Sequence, residues 1–210
     1  MSATICPTVT AETASDYQIQ LERIAPFAGR LHIDLADGEL APRKLVDPDK
    51  LWWPGNKIID LHVMYRRPFE HTDLFIAQHP NLIIVHAEAE GDFLEFAEKL
   101  HYHGIEVGVA LLPATNVRTI APAIKLIDHL LIFSGNLGYQ GDSRADPSLL
   151  VKAKHARALK PSLEIGWDGG VAPENAQRLV AGGIDVLDVG GFIQRAGDPA
   201  RAYATLEAAT

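Results

Sequence analysis

The sequence predicts an α/β protein built as a (β/α)8 TIM barrel. Apolar, strand-like runs alternate with amphipathic, helix-like segments along all 210 residues, a pattern typical of parallel βαβ units. Eight such units in about 200 to 250 residues match a compact barrel. No Gly/Ser linker or long charge run divides the chain, so we expect a single barrel domain over residues 1–210.

The predicted strands are short and mostly apolar. They are Thr4–Val9, Arg30–Leu35, Lys57–Met64, Leu82–Ala87, Glu106–Leu111, Leu130–Ser134, Ser162–Trp167 and Val186–Val189. The clearest helices between them, which open with Asp or Pro start signals, are predicted over Asp16–Phe27, Asp92–Tyr102, Pro147–Leu159 and Pro173–Ala181. A doubly wound open sheet is the competing fold. It requires a glycine-rich loop after the first strand, whereas residues 9–13 read Val-Thr-Ala-Glu-Thr.

The composition and charge of the chain argue against several classes of protein. The net charge of −8 argues against nucleic acid as a partner, because phosphate contacts need clustered Lys and Arg. No run approaches about 18 consecutive apolar residues, so no membrane span is expected. Cys6 is the single cysteine, which fits a reducing compartment, and residues 1–18 lack the pattern of a secretory signal. We therefore expect a cytoplasmic protein.

The run from Leu31 to Gly38 is the most informative stretch of the chain. In a strand, Leu31, Ile33 and Leu35 share one face, and His32 and Asp34 share the other. Burying an imidazole and a carboxylate together is costly unless something compensates for it, and a metal ion commonly does. The Asp-Gly turn at 37–38 places this pair at the carboxyl end of the strand.

Polar residues also collect at the ends of other predicted strands. Asp60, His62 and Met64 share one face of the third strand. The fourth strand ends in His86, and the seventh runs into Asp168. The carboxyl ends of all strands meet at one end of a barrel, where active sites form.

These strand ends predict a metal site. Two imidazoles and two carboxylates are a donor set that suits a divalent ion of the first transition row. Each residue alone is more often a satisfied core or loop residue, but four that converge favour a site. The predicted ligands are His32, Asp34, His62 and Asp168.

Glycine-rich loops follow the last three predicted strands, at residues 135–141, 168–170 and 189–191. Backbone N–H groups in such loops can approach an anion closely. In barrels a phosphate commonly lies beside the loops after strands seven and eight. Any one loop can equally be a plain turn, but three in consecutive positions favour a phosphate ligand.

The remaining histidines are predicted to be structural. They fall in predicted helices or at helix ends, where exposure or capping accounts for them. They are His71, His79, His101, His103, His129 and His155.

In order and spacing, these motifs resemble the D-ribulose-5-phosphate 3-epimerase family. The matching motifs are His-Ile-Asp at 32–34, Asp-Leu-His-Val-Met at 60–64, His-Ala-Glu at 86–88, Gly-Val-Ala-Leu-Leu-Pro at 108–113, Asp-Gly-Gly at 168–170 and Val-Gly-Gly at 189–191. The resemblance runs from about Ile5 to Gly191. It implies an epimerase that inverts C3 of a ketose phosphate, with D-ribulose 5-phosphate as the first substrate to test.

The resemblance also implies roles for residues. Asp34 and Asp168 would be the catalytic acid and base on opposite sides of C3, with an enediolate between the two proton transfers. The metal would be Zn2+ or Fe2+, with Mn2+ or Co2+ as alternatives, and a homo-oligomer is implied. The residues expected to bind the phosphorylated sugar are Thr8, His62, Met64, His86, Gly138, Gly141, Gly169, Gly170, Gly190 and Gly191.

Several positions depart from the family pattern. Ala36 and Phe133 stand where methionines are usual, Gly166 stands for a glutamate, and Gly191 stands for a small hydroxyl residue. The loop from 136 to 142 loses its proline and ends in an acid. These changes leave open a longer substrate, such as allulose 6-phosphate, or a sugar-phosphate-binding relative without activity. Related decarboxylases and aldolases use an Asp-x-Lys-x-x-Asp motif, which residues 34–37 lack.

Overall fold

Eight parallel strands form one closed barrel in the structure, a computed structural model that describes residues 3–210. Each strand pairs with the next along the chain, and the last pairs with the first. The strands are β1 (Thr4–Val9), β2 (Arg30–Ala36), β3 (Ile58–Met64), β4 (Leu82–His86), β5 (Glu106–Leu111), β6 (His129–Phe133), β7 (Glu164–Asp168) and β8 (Val186–Val189). The predicted barrel is confirmed.

Helices connect the strands. They are α1 (Ala14–Ile24), α2 (Thr72–Ile76), α3 (Phe93–Tyr102), α4 (Leu150–Leu159), α5 (Pro173–Ala181), α6 (Gly191–Gln194) and α7 (Pro199–Glu207). Short 3-10 helices lie at Pro48–Lys50, Pro68–His71, Val117–Leu126 and Pro147–Leu149. Over residues 3–210, no helix is long and apolar enough to cross a membrane.

Local residues determine where one helical segment begins and the helix type of another. Helix α1 begins at Ala14 rather than Asp16, because the Thr13 side chain accepts a hydrogen bond from the Asp16 backbone N–H and caps the first turn. The connection from β5 to β6 is a 3-10 helix with Pro122 inside it. Proline lacks the N–H that an α-helix needs at an interior position, so this segment does not form a regular α-helix.

The strand alternation places the polar faces inside the barrel. On β2, Leu31, Ile33 and Leu35 belong to the main apolar core, which the strands share with helices such as α1 and α3. His32 and Asp34 are also buried, but on the opposite face, which is the barrel interior. The parity predicted from the sequence is therefore confirmed.

The barrel interior is divided between an apolar and a polar side. A small apolar cluster fills the first side, with Leu82 and Ile84 of β4, Ala110 of β5 and Leu131 of β6. The polar side chains of β2, β3 and β8 occupy the other and include buried His32, Asp60 and Asp188. The unusual cost of burying these groups marks this side as the functional part of the interior.

The prediction that His129 lies in a helix or at a helix end is wrong. This residue begins β6 and has no exposed surface. Its Nδ1 lies 2.7 Å from a Glu164 carboxylate oxygen. A Cβ on Gly166 would lie 2.5 Å from His129 Nε2, so the ring occupies the space of a side chain at 166. This accounts for the glycine at a position where the resembled family has a glutamate.

Candidate active site at the carboxyl ends of the strands

The four predicted ligands come together in the barrel interior. His32 and Asp34 lie on β2, His62 on β3 and Asp168 at the end of β7. Asp34 and His62 are partners in the β2–β3 register. One ligand atom from each of the four residues lies within 4.8 Å of the others. The structure therefore brings together the set that the strand ends predict.

Asp34 is the centre of the group. Its Oδ1 lies 3.0 Å from His62 Nδ1 and 3.4 Å from His32 Nε2. The Thr10 hydroxyl donates a 2.6 Å hydrogen bond to Oδ2 of the same carboxylate. Asp168 is farther away, with Oδ2 3.9 Å from His62 Nδ1. Thr10 is a site residue that the sequence interpretation missed, because a threonine after a strand carries no chemical signal of its own.

His32 is held between two carboxylates without a hydrogen bond to either. Its ring is fully buried, and neither nitrogen has a hydrogen-bond partner. Nε2 faces Asp34, while Nδ1 lies 3.2 Å from Oδ1 of Asp188 on β8. Asp188 was not predicted as a site residue, although it is the one charged residue in the apolar run Val186–Val189, which is the signal that could have found it.

His62 is positioned by a second histidine. Its Nε2 lies 2.9 Å from His86 Nε2, and the two rings stack with centroids 5.0 Å apart. His86 Nδ1 in turn lies 3.5 Å from Glu88, whose carboxylate accepts hydrogen bonds from the Leu112 N–H and the Thr115 hydroxyl. Because Nε2 of His62 contacts His86, its Nδ1 faces the two aspartates.

The two aspartates have pKa values shifted in opposite directions. Burial opposes ionisation of Asp34, but hydrogen bonds and charge from His32 and His62 outweigh it and hold its pKa well below the usual value. Burial, followed by the negative charge of Asp34, raises the pKa of Asp168 well above its usual value. Paired carboxylates with separated pKa values are typical of acid and base partners.

The donor set fits a divalent cation. Two imidazole nitrogens and two carboxylate oxygens are ligands that Zn2+ and Fe2+ accept. The buried Nε2 of His32, which has no hydrogen-bond partner, is the observation that favours this fit, since a buried polar atom is costly unless it is paired. Burial lowers the pKa of His62 to about 4, so this ring is neutral near pH 7. Burial opposes protonation of His32 as well, but the carboxylates of Asp188 and Asp34 outweigh it and raise its pKa, so a cation would bind Nε2 of His32 in exchange for a proton.

A cavity opens above this group, between the strand ends and the loops that follow them. Its floor includes Asp34, Asp168 and Met64, and its walls are the loops after β6, β7 and β8. Eight of the ten predicted substrate-binding residues line it, namely Thr8, Met64, Gly138, Gly141, Gly169, Gly170, Gly190 and Gly191. His62 and His86 do not line this cavity and are fully buried, so their contact with substrate stays a prediction.

Two of these glycines are required by the close approach of the loops. Gly169 and Gly170 have φ of +116° and +69°, in the left-handed region that favours glycine. A Cβ on Gly169 would overlap the Gly135 backbone, and one on Gly170 would overlap the Ala145 backbone. The loops after β6 and β7 can therefore pack together only because these positions lack side chains.

Two further cavity residues were missed in the sequence. Gln140 donates from Nε2 to the Thr8 carbonyl oxygen at 3.2 Å, which ties the loop after β6 to β1. Arg195 follows α6 and lines the cavity beside Gly141 and Gly191. Arg195 lies outside the motifs and Gln140 is a non-glycine residue of the loop at 135–141, and contacts between loops far apart in sequence create both roles.

Ala36 does not line the cavity. It is fully buried in a small apolar cluster with Ala41, Leu45 and Met64. Phe133, by contrast, lines the cavity, and its ring centroid lies 5.8 Å from that of His62. Of the two positions where the resembled family has methionine, the one at 133 therefore alters the cavity wall.

Comparison with known proteins identifies the family. The model described as the ribulose-phosphate 3 epimerase family matches residues 4–193. This chain belongs to that family. Curated relatives include the ribulose-phosphate 3-epimerase of Schizosaccharomyces pombe, 25% identical over 95% of this chain and 90% of the relative. That of Aquifex aeolicus is 29% identical over 80% of this chain and 78% of the relative. The chain is accordingly an isomerase of the epimerase class.

Solved structures of other enzymes share the family's fold. A 3-hexulose-6-phosphate synthase superposes with a TM-score of 0.69 at 18% identity, over 100% of this chain and 99% of that chain. The 3-keto-L-gulonate-6-phosphate decarboxylase from Vibrio cholerae gives a TM-score of 0.70 at 13% identity, over 100% of this chain and 97% of that chain. At these identities the likeness shows the barrel fold alone, because one fold can carry different chemistry.

Proposed function

We propose that this member of the epimerase family inverts C3 of a ketose phosphate and converts D-ribulose 5-phosphate to D-xylulose 5-phosphate. The observation that carries the proposal is the pair of carboxylates, Asp34 and Asp168, held around two imidazoles on the floor of one cavity. Two carboxylates that can exchange a proton with the same carbon are what inversion requires.

The two carboxylates reach the cavity from different strands. Asp34 lies on β2 and Asp168 on β7, and β1 and β8 separate these strands on the shorter path around the barrel. We infer that one carboxylate removes the C3 proton and that the other delivers a proton to the opposite face. Their pKa values are shifted in opposite directions, as is typical of an acid and a base partner.

A divalent ion is the proposed cofactor, held by His32, Asp34, His62 and Asp168. Zn2+ or Fe2+ is the first choice, and Mn2+ and Co2+ are the alternatives. When bound, the ion would supply the positive charge that makes loss of a proton beside a ketone feasible. His86 would orient His62 for this purpose, because it contacts the ring nitrogen that faces away from the aspartates.

The phosphate is proposed to lie against the glycine loops. Gly138 and Gly141 after β6, Gly169 and Gly170 after β7, and Gly190 and Gly191 after β8 all line the cavity. Backbone N–H groups can reach an anion at these positions because no side chain stands between them. A homo-oligomer, a cytoplasmic location and a role in pentose phosphate metabolism stay predictions.

A longer ketose phosphate, such as allulose 6-phosphate, is the second candidate substrate. Phe133 and the altered loop at residues 135–142 form part of the cavity wall and leave this candidate open. A relative that binds sugar phosphate without turning it over is disfavoured, because the complete four-ligand group would then serve no purpose. Parallel assays with D-ribulose 5-phosphate and with allulose 6-phosphate distinguish these candidates.

Substitution of the two aspartates tests the proposed mechanism. Asp34→Asn and Asp168→Asn should each lower interconversion of the two pentose 5-phosphates by roughly a thousandfold, since each variant lacks one proton carrier. Metal content must be measured in both variants, because both residues are proposed ligands. Asp73→Asn is the matched control, an exposed carboxylate on α2 that pairs with Lys99, and it should keep full activity. Substantial turnover by either metal-loaded variant would exclude the two-aspartate mechanism.

A further inference from the structure

The cavity proposed to bind a phosphorylated ligand has one cationic side chain in its lining. Four carboxylates line the cavity, those of Asp34, Asp142, Asp168 and Asp188. Among the lining residues that the structure describes, Arg195 alone carries a cationic side chain. A phosphate monoester carries about −1.5 to −2 charges near neutral pH. Backbone amides can bind it, and among the lining side chains Arg195 is the one that can add a positive charge.

Arg195 lies where the glycine loops meet. A Cβ on Gly191 would lie 2.9 Å from Arg195 Nη2, and a Cβ on Gly141 would overlap Nη1 of the same guanidinium. The loops after β6 and β8 thus lack side chains at the two positions that the guanidinium touches. A small hydroxyl residue at position 191, which the resembled family has, would not fit beside it in this arrangement.

The guanidinium is only weakly held. Its Nη1 lies 3.5 Å from Asp142 Oδ1, and the side chains of Arg195 and Asp142 are 59% and 89% exposed. This is the one ion pair of Arg195 found across residues 3–210. Exposed pairs of this kind contribute about 0 to 1 kcal/mol, so a dianion can replace Asp142 as the partner of the guanidinium.

We propose that Arg195 binds the phosphate group of the substrate and replaces the hydroxyl contact that Gly191 lacks. The inference rests on the proposed function for the identity of the sugar phosphate. A guanidinium can donate two parallel hydrogen bonds to phosphate oxygens. In the free protein Asp142 pairs with the guanidinium at the edge of the cavity. The bound phosphate replaces Asp142 as the partner of the guanidinium.

The test is Arg195→Met, which keeps much of the side-chain length and removes the charge. We expect KM for D-ribulose 5-phosphate to rise by about 10- to 100-fold, the effect of losing a charged hydrogen-bond donor, with kcat changed by less than about threefold. Inhibition by inorganic phosphate should weaken in the same proportion. Arg195→Lys should restore part of the affinity. Arg201→Met, at an exposed position of α7, is the matched control and should behave as wild type.

Direct binding measurements test the role of Arg195 independently of the proposed epimerase activity. Calorimetric titration with inorganic phosphate and with D-ribulose 5-phosphate needs no turnover. Weaker binding of both by Arg195→Met supports the role of Arg195 even if the wild-type protein epimerises neither sugar. Unchanged KM and unchanged phosphate binding in a variant with a native circular dichroism spectrum would overturn the inference and leave the epimerase proposal untouched.

Discussion

At the scale of single residues, His32 shows how a buried side chain depends on its neighbours. Its Nε2 faces Asp34, and its Nδ1 faces Asp188. An imidazole that ligates a metal commonly donates its other N–H to a carboxylate, which fixes the tautomer. Asp188 is placed to accept that proton, and Nε2 then remains available to a cation.

We therefore predict that Asp188→Asn weakens metal binding by about 10- to 100-fold, the usual cost of losing such a partner. The Asn side chain keeps the size of Asp but removes the charge that favours the Nδ1–H form of His32. Competition with a chromogenic chelator measures the affinity directly and does not depend on turnover. An affinity equal to that of the wild type would show that Asp188 does not orient His32.

The strand alternation explains why most of the candidate metal site could be predicted. A period of two fixes the face of His32, Asp34 and His62 once β2 and β3 are recognised, and the parallel barrel brings their ends together. Asp188 and Arg195 escaped prediction for a physical reason. Their roles arise from contacts across the barrel or between loops, and no local pattern specifies those contacts.

At the scale of elements, one charged cluster joins four strands at the amino end of the barrel. Arg30 of β2 donates to Asp60 of β3 at 2.7 Å and to both carboxylate oxygens of Glu164 on β7, at 2.9 and 2.8 Å. His129 of β6 contacts the same Glu164. Burial opposes ionisation of Glu164, but hydrogen bonds from His129 and Arg30 outweigh it and hold its pKa well below the usual value.

This cluster predicts a pH dependence of stability. A carboxylate whose pKa is lowered by folding stabilises the native state above its unfolded pKa, about 4.3 for Glu. That contribution is lost as the pH falls below this value. Glu164→Gln should therefore be less stable than wild type near pH 6, and the difference should shrink progressively below about pH 4.

Urea unfolding at a series of pH values measures this difference. The comparison of the two proteins at each pH cancels the titration of carboxylates outside this cluster, which both proteins share. A difference in the free energy of unfolding that stays constant from about pH 6 to about pH 3 would contradict the assigned role of Glu164.

At the scale of the whole molecule, the barrel alone does not determine the chemistry. Enzymes with other reactions superpose on this chain with TM-scores of 0.69 and 0.70. Activity depends on which side chains the strand ends carry, and here those are two histidines and two aspartates around one cavity. The order of strands and helices could be read from periodicity, whereas the shape of the cavity depends on loop packing at positions such as Gly169.

Exchange of the C3 hydrogen is the most direct test of proton transfer by the two aspartates. The metal-loaded protein is incubated with D-ribulose 5-phosphate in D2O, and NMR follows the sugar. We predict that deuterium replaces hydrogen at C3 and that D-xylulose 5-phosphate accumulates, because one carboxylate removes the proton and the other returns one from solvent. Retention of the C3 hydrogen and absence of D-xylulose 5-phosphate, with the metal site fully loaded, would exclude epimerisation at C3 of this sugar by the protein.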